Sequence, residues 1–177
     1  LYHRQLTGEA TKVDIGMLDC QVALLENAVM RYHVNGTAPG PLGARHPSIT
    51  PFEAYQTNDG YIIVSAGNDA LFVKLCESLE KLEWVNDTRY TTNDLRNQNV
   101  EALKNEMEAV LMSNTTAHWV DRLGAFGIPA SPINDIGQAA THPPTIARNM
   151  LVAIDDPITG PLTVSGNPVK ISGFHDP

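Results

Sequence analysis

Apolar side chains crowd the stretch between residues 16 and 34. Met17, Leu18, Val22, Ala23, Leu24, Leu25, Ala28, Val29 and Met30 leave almost no polar face. A helix that is apolar all round belongs inside a large core, so the pattern predicts one long buried helix. Residues 11–15 read as a short strand before it, with Gly16 at the turn. Residues 1–8 read as the tail of a helix stopped by Gly8, a residue suited to the left-handed position after a helix. Strand, turn and helix in that order suggest an α/β sheet, in which ligands gather at the carboxyl ends of strands. So short a stretch cannot build such a sheet. The rest of it is expected elsewhere, and the chain is expected to be a piece of a longer protein.

The pattern then changes. Residues 35–50 are rich in Gly and Pro and lack any period, as in a linker. Residues 52–56 and 61–65 flank Thr57-Asn58-Asp59-Gly60, where Asp-Gly accepts positive φ and predicts a hairpin. Asn68 or Asp69 caps the next helix, which gathers Leu71, Phe72, Leu75, Cys76 and Leu79. A helix over 100–112 places Val100, Leu103, Met107, Val110 and Leu111 together, with Glu101, Lys104 and Glu108 outside. The next, over 117–126, starts after Thr115 or Thr116, buries Trp119, Val120, Leu123 and Phe126, and stops at Gly127. Residues 136–140 and 145–150 suggest short helices. Residues 151–154 and 162–165 suggest strands joined by a turn, and 171–174 trail off without a cap. The expected fold class is α/β: part of a Rossmann-like large domain and a small α+β domain with a β-hairpin and helices.

Charge narrows the partners. The net charge of −8 argues against a nucleic-acid or anionic-membrane partner, which would need a basic face. No apolar run reaches the length of a membrane span, and residues 1–4 show no signal-peptide pattern. Cys20 and Cys76 fall in apolar helical patterns and read as buried thiols in a reducing, cytoplasmic setting. His3, His33, His118, His142 and His175 have no metal-like spacing, so no metal is assigned.

Asp19 carries the candidate chemistry. It falls in the first turn of the apolar helix, where unpaired backbone N–H groups carry partial positive charge. A carboxylate there is held ionised, and if buried it can act as a nucleophile or base. The plainer role, favouring the helix dipole, is worth ~0.3–1 kcal/mol. Asp14 reads as a structural residue at the strand end. Arg45 and His46, in the Gly-rich loop, are candidates for contacts with a ligand's anionic groups.

Taken together, V-D-I-G-M-L-D-C-Q-V-A-L-L (13–25), G-A-R-H-P-S-I-T-P-F (43–52), T-N-D-G-Y-I-I-V-S-A-G-N-D (57–69), N-D-T-R-Y-T-T-N-D-L-R-N-Q-N (86–99), W-V-D-R-L (119–123) and G-I-P-A-S-P-I (127–133) resemble the family III CoA-transferases. The resemblance covers essentially the whole chain and matches the C-terminal portion of such enzymes. It implies an acyl-CoA:carboxylate CoA-transferase with Asp19 as nucleophile, passing through an aspartyl anhydride and an aspartyl-CoA thioester. It implies coenzyme A thioesters and carboxylic acids as substrates, no permanently bound cofactor, and an interlocked homodimer at full length. Residues 1–45 and 149–177 would belong to the large, CoA-binding domain and 46–148 would form the small one. Formyl-CoA transferases carry a run of glycines where this chain reads Gly43-Ala44-Arg45-His46-Pro47, which argues against formyl or oxalate specificity while leaving these residues as a lining or cover of the site. The alternatives are a racemase of the α-methylacyl-CoA type, with Asp19 in an acid–base pair, and a non-catalytic folded fragment. The residues Cys20-Gln21-Val22-Ala23 sit nearer the transferase pattern. The 177-residue chain is expected to be inactive alone.

Overall fold

The computed structural model describes residues 2–173. Leu1, Phe174 and His175, which entered the readings above, lie outside the described residues. The chain divides into two compact units, Leu1–Gly43 and Ala44–Pro177.

The first unit is helical. Helix α1 (Tyr2–Thr7) ends at Gly8, whose φ of 77° lets its N–H reach the Arg4 carbonyl at 2.8 Å. Residues 11–15 form no strand, because a strand needs a neighbour to pair with and none is present in this unit. The predicted single helix is two: α2 (Met17–Leu24) and α3 (Glu26–Asn35). They part at Leu25, whose ψ of 14° breaks the helical ladder. Gly36 closes α3 at φ 69°. The expected burial is not found. No described residue of this unit is buried, and Met17 is 84% exposed and Leu24 83%. Three short helices cannot wrap one another into a core. Cys20 is exposed for the same reason, against expectation, while Cys76 is buried.

The second unit has the core. Strands β1 (Phe52–Gln56) and β2 (Tyr61–Ser65) pair antiparallel, Phe52 opposite Ser65 and Gln56 opposite Tyr61, as the Asp-Gly turn requires. A third strand, β3 (Ala130–Pro132), joins the free edge of β2. Pro132 is tolerated there because an edge strand can spare one donor.

Helix α4 (Asp69–Ser78) is capped by Asn68, whose Oδ1 accepts from the Leu71 N–H at 2.9 Å. A 3₁₀ turn (Leu82–Asn86), α5 (Asn93–Gln98) and α6 (Val100–Leu111) follow. Helix α7 (Thr116–Ala125) has Thr115 as its cap. Tyr55, Ile62, Val64, Phe72, Leu75, Cys76, Trp84, Leu103, Met107, Leu111, Trp119 and Leu123 pack into one apolar cluster. Two positions differ from expectation: Phe126 is 36% exposed, and Lys104 is not on the outer face but reaches the buried Glu53. Helices α8 (Ile136–Thr141) and α9 (Pro143–Ala147) and the ribbon β4 (Leu151–Asp156)–β5 (Gly160–Ser165) complete the unit.

Arg96 is fully buried and ties this unit together. Its Nε donates to the Thr50 carbonyl at 2.7 Å, Nη1 to the Tyr90 carbonyl at 2.9 Å and Nη2 to Asp69 Oδ1 at 2.6 Å. The guanidinium also lies 4.4 Å from the centre of the Phe72 ring. A buried charge is tolerated only when its donors are met in this way. Arg96→Met strands two buried carbonyls and should lower unfolding stability by roughly 3 kcal/mol. Asp69→Asn, at an exposed partner, should cost clearly less. Urea unfolding followed through Trp84 and Trp119, both in the core, measures both losses.

Candidate active site

Asp19 sits in the first turn of α2, after the extended residue Gly16 (φ −73°, ψ 136°). Its carboxylate leans back over that glycine. A Cβ at position 16 would lie 2.8 Å from Asp19 Oδ2 and 3.2 Å from its Cγ, so the bare glycine leaves the space the carboxylate occupies. The carboxylate makes no hydrogen bond among the described residues, and it is exposed together with Leu18 and Val22. The anticipated placement at the head of an apolar helix is present; the anticipated shielding is not supplied within this unit. Asp14 precedes Gly16 by two residues. It meets Lys12 Nζ at 3.7 Å, with both side chains more than four-fifths exposed, a pairing that contributes little.

Arg45 and His46 open the second unit. The His46 N–H donates to the Phe52 carbonyl at 2.8 Å, and its ring stacks on Phe52 at 5.2 Å. Its Nδ1 accepts from the backbone N–H groups of Ser48 and Ile49 at 3.2 and 3.1 Å. An accepting Nδ1 assigns the ring's proton to Nε2, which leaves Nε2–H as the donor that can face a ligand. Arg45, beside it, is half-buried.

Helix α5 clamps the loop that follows. Asn93 and Asn97 both donate through Nδ2 to the Ser48 carbonyl at 2.8 Å. Asn93 Oδ1 accepts from the Thr50 N–H, and Asn97 Oδ1 accepts from the Thr50 hydroxyl at 2.7 Å. Asn93, Arg96 and Asn97 share one helical face by their spacing. Periodicity of apolar residues could not reveal this helix, because its working face is polar. Thr92, whose hydroxyl accepts from the Leu95 N–H, was the available signal.

Further polar groups lie inside the second unit. Glu53 is 5% exposed, and its Oε2 accepts from Lys104 Nζ at 2.6 Å. Burial, the largest single influence, pulls Lys104 down, but the bond to Glu53 and the charges of Glu53, Glu108 and Glu101 together hold the ammonium above its ordinary range. Burial first, and then the charges of Glu53 and Glu108, push the Tyr55 hydroxyl well up. The Cys76 thiol is pushed up to about 12, mainly by burial, which removes it as a nucleophile at neutral pH.

A cleft of about 640 Å³ opens between the β1–β2 turn, α7 and α8, lined by Asp59, Tyr61, Thr116, Asp121, Ile133 and His142 among others. Asp59 Oδ1 accepts from the Thr116 N–H at 2.7 Å and from its hydroxyl at 2.8 Å. No cluster of His, Cys, Asp or Glu able to hold a metal occurs among the described residues. No helix there is long and apolar enough to cross a membrane.

Comparison with known proteins gives these residues a context. The sequence matches CoA-transferase family III over residues 1–176. The chain belongs to this family. Acetyl-CoA:oxalate CoA-transferase of Acetobacter aceti is 39% identical over 177 residues, all of this family III chain and 44% of that protein. Succinyl-CoA:glutarate CoA-transferase of Mus musculus is 31% identical over 98% of the chain and 40% of its own length. The crystal structure of a CAIB/BAIF family protein from Brucella suis superposes with a TM-score of 0.81 at 31% identity, covering 99% of this chain and 45% of that one. The family III chain thus spans less than half the length of the relatives it matches, and its fold is that of an α/β piece with small antiparallel sheets.

Asp59 gives a pH test of the second unit. The Thr116 backbone N–H, then the Thr116 hydroxyl, lower its pKa below the ordinary carboxylate value. A carboxyl depressed on folding adds stability that is present above its unfolded pKa of about 4 and is lost as pH falls through the lower folded value. Asp59→Asn should therefore melt below the wild type at pH 6, and the difference should shrink as pH falls below the ordinary carboxylate range. Thermal melts across that range check it.

Proposed function

We propose that the chain is the C-terminal portion of an acyl-CoA:carboxylate CoA-transferase, with Asp19 as the nucleophile. Membership in family III and the placement of a carboxylate in the first turn of α2 support this reading. The Asp19 carboxylate attacks the thioester carbonyl of an acyl-CoA. A C–O bond forms, the C–S bond breaks, and CoA leaves as thiolate. The thiolate returns to the aspartyl carbonyl of the anhydride, releasing the first acid as its carboxylate and leaving an aspartyl-CoA thioester. The acceptor carboxylate then attacks that thioester, and the thiolate expelled returns to the acceptor's acyl carbon, regenerating Asp19. One difficult exchange is divided into easier ones by a single carboxylate.

On this reading residues 1–45 and 149–177 belong to the large CoA-binding domain and 46–148 form the small domain. Two full-length copies interlock in the cytoplasm. Coenzyme A enters and leaves as part of the substrates, so no permanent cofactor is needed. Arg45 and the Nε2–H of His46 are the groups offered to the substrates' anionic parts. The two relatives described above are named for oxalate and glutarate, so the acceptor is read as a small carboxylic acid.

Hydroxylamine tests the covalent step, because it converts an aspartyl thioester or anhydride into a hydroxamate. In the full-length enzyme treated with acyl-CoA, the adduct should map to Asp19, and Asp19→Asn should abolish both adduct and turnover. Mapping to Asp14 instead would transfer the nucleophile to the residue ahead of the helix. An adduct on neither residue would end the mechanism.

A further inference from the structure

We propose that Arg45 binds the second carboxylate of a dicarboxylic acid and thereby sets the class of acceptor. The inference rests on the transferase reading above and names the substrate class for it. Arg45 is half-buried, yet among the described residues its guanidinium makes no hydrogen bond or ion pair. Several other cations of the second unit are engaged. Arg89 meets Asp87 and Glu106, Arg96 meets Asp69, Lys104 meets Glu53 and Arg122 meets Glu80. A cation that has lost part of its water without gaining a partner is unfavourable, and a ligand's anion relieves it.

The backbone around Arg45 is fixed before any ligand arrives. Gly43 turns the chain at φ 62°. His46 is bonded through its N–H and stacked through its ring on Phe52. Arg31 in α3 is also half-buried without an ion pair among the described residues, but it lies in the unit that has no buried residue among those described. A guanidinium presents parallel N–H groups that fit a carboxylate in a two-pronged way.

The chemistry of the acceptor supplies the anion. A dicarboxylic acid takes CoA on one carboxyl, and the other remains a carboxylate from binding to product. Oxalate and glutarate, in the names of the two relatives, share this property. A cation at the spectator carboxylate acts equally on ground and transition states. Its loss therefore appears in KM rather than in kcat.

The test uses the full-length enzyme with acetyl-CoA as donor, and succinate and glutarate against their monomethyl esters. Arg45→Gln should raise KM for the two diacids at least about tenfold, with a much smaller rise for the monoesters and a far smaller change in kcat. Arg45→Lys should recover part of the loss, because the charge remains and only the fork is gone. Equal rises for diacids and monoesters would overturn the proposal, as would unchanged kinetics with both. A rise in KM for acetyl-CoA instead would assign Arg45 to the phosphates of CoA. Hydroxylamine trapping separates the two readings. An adduct in wild type and in Arg45→Gln, with no effect on diacid KM, defeats this proposal alone. No adduct in either defeats the transferase reading itself.

Discussion

One buried guanidinium organises the second unit. Arg96 is the largest fully buried side chain among the described residues, and each of its nitrogen atoms serves a different segment. Nε holds the loop before β1, Nη1 holds the turn at Tyr90, and Nη2 holds the start of α4. Its net stabilisation is small against a network replaced as a whole by apolar groups of similar shape, although removing the guanidinium alone strands its carbonyl partners. It does restrict the arrangement, because three segments must arrive in register to satisfy it. With Asn93 and Asn97 on the same face, it makes α5 a polar clamp on residues 48–50. The loop carrying Arg45 and His46 enters the sheet through that clamp. The frame of the loop that carries Arg45 and His46 thus depends on a helix that holds none of the proposed site residues.

The two units spend similar apolar content differently. In the second, apolar residues converge on one cluster. In the first, Met17, Leu18, Val22, Leu24, Val29 and Met30 are all at least half exposed. Helices of eight and ten residues are marginal in water by themselves and owe their stability to packing. An apolar surface of this breadth has the composition of an interior face. The all-round apolar pattern led to an expectation of one buried helix that the described residues do not meet, in a chain spanning less than half the length of its relatives.

Local chemistry was the most legible part of the sequence. Asp59-Gly60 determined the hairpin and its register, Asn68 and Thr115 capped the helices, and Gly127 stopped α7 at φ 71°. Failures came where tertiary partners decide. Residues 11–15 have strand-like side chains but no neighbouring strand. β3 is only three residues long and contains Pro132, so neither length nor alternation announced it. Lys104 was put on the outer face of α6 by its charge, whereas a carboxylate 51 residues earlier in the chain draws its Nζ inward. α5 offered no apolar stripe at all. Of the candidate site, Asp19 and Arg45 could be named from the sequence, but the bonds that fix His46 and clamp its loop could not.

The exposed state of Asp19 ties its reactivity to the folding of its surroundings. A solvated carboxylate is a weak nucleophile because water donates to both oxygens. A surface that covers Leu18 and Val22 strips water from Asp19 as well, since Val22 lies three residues from Asp19 and four from Leu18 and so neighbours both on the helix surface. Burying those apolar groups is favourable at about 25 cal/mol per Å², and that gain can offset the cost of desolvating the carboxylate beside them. Covering the apolar face and desolvating the carboxylate at its head are therefore coupled: on the proposed mechanism, Asp19 gains nucleophilicity only as its helix is packed.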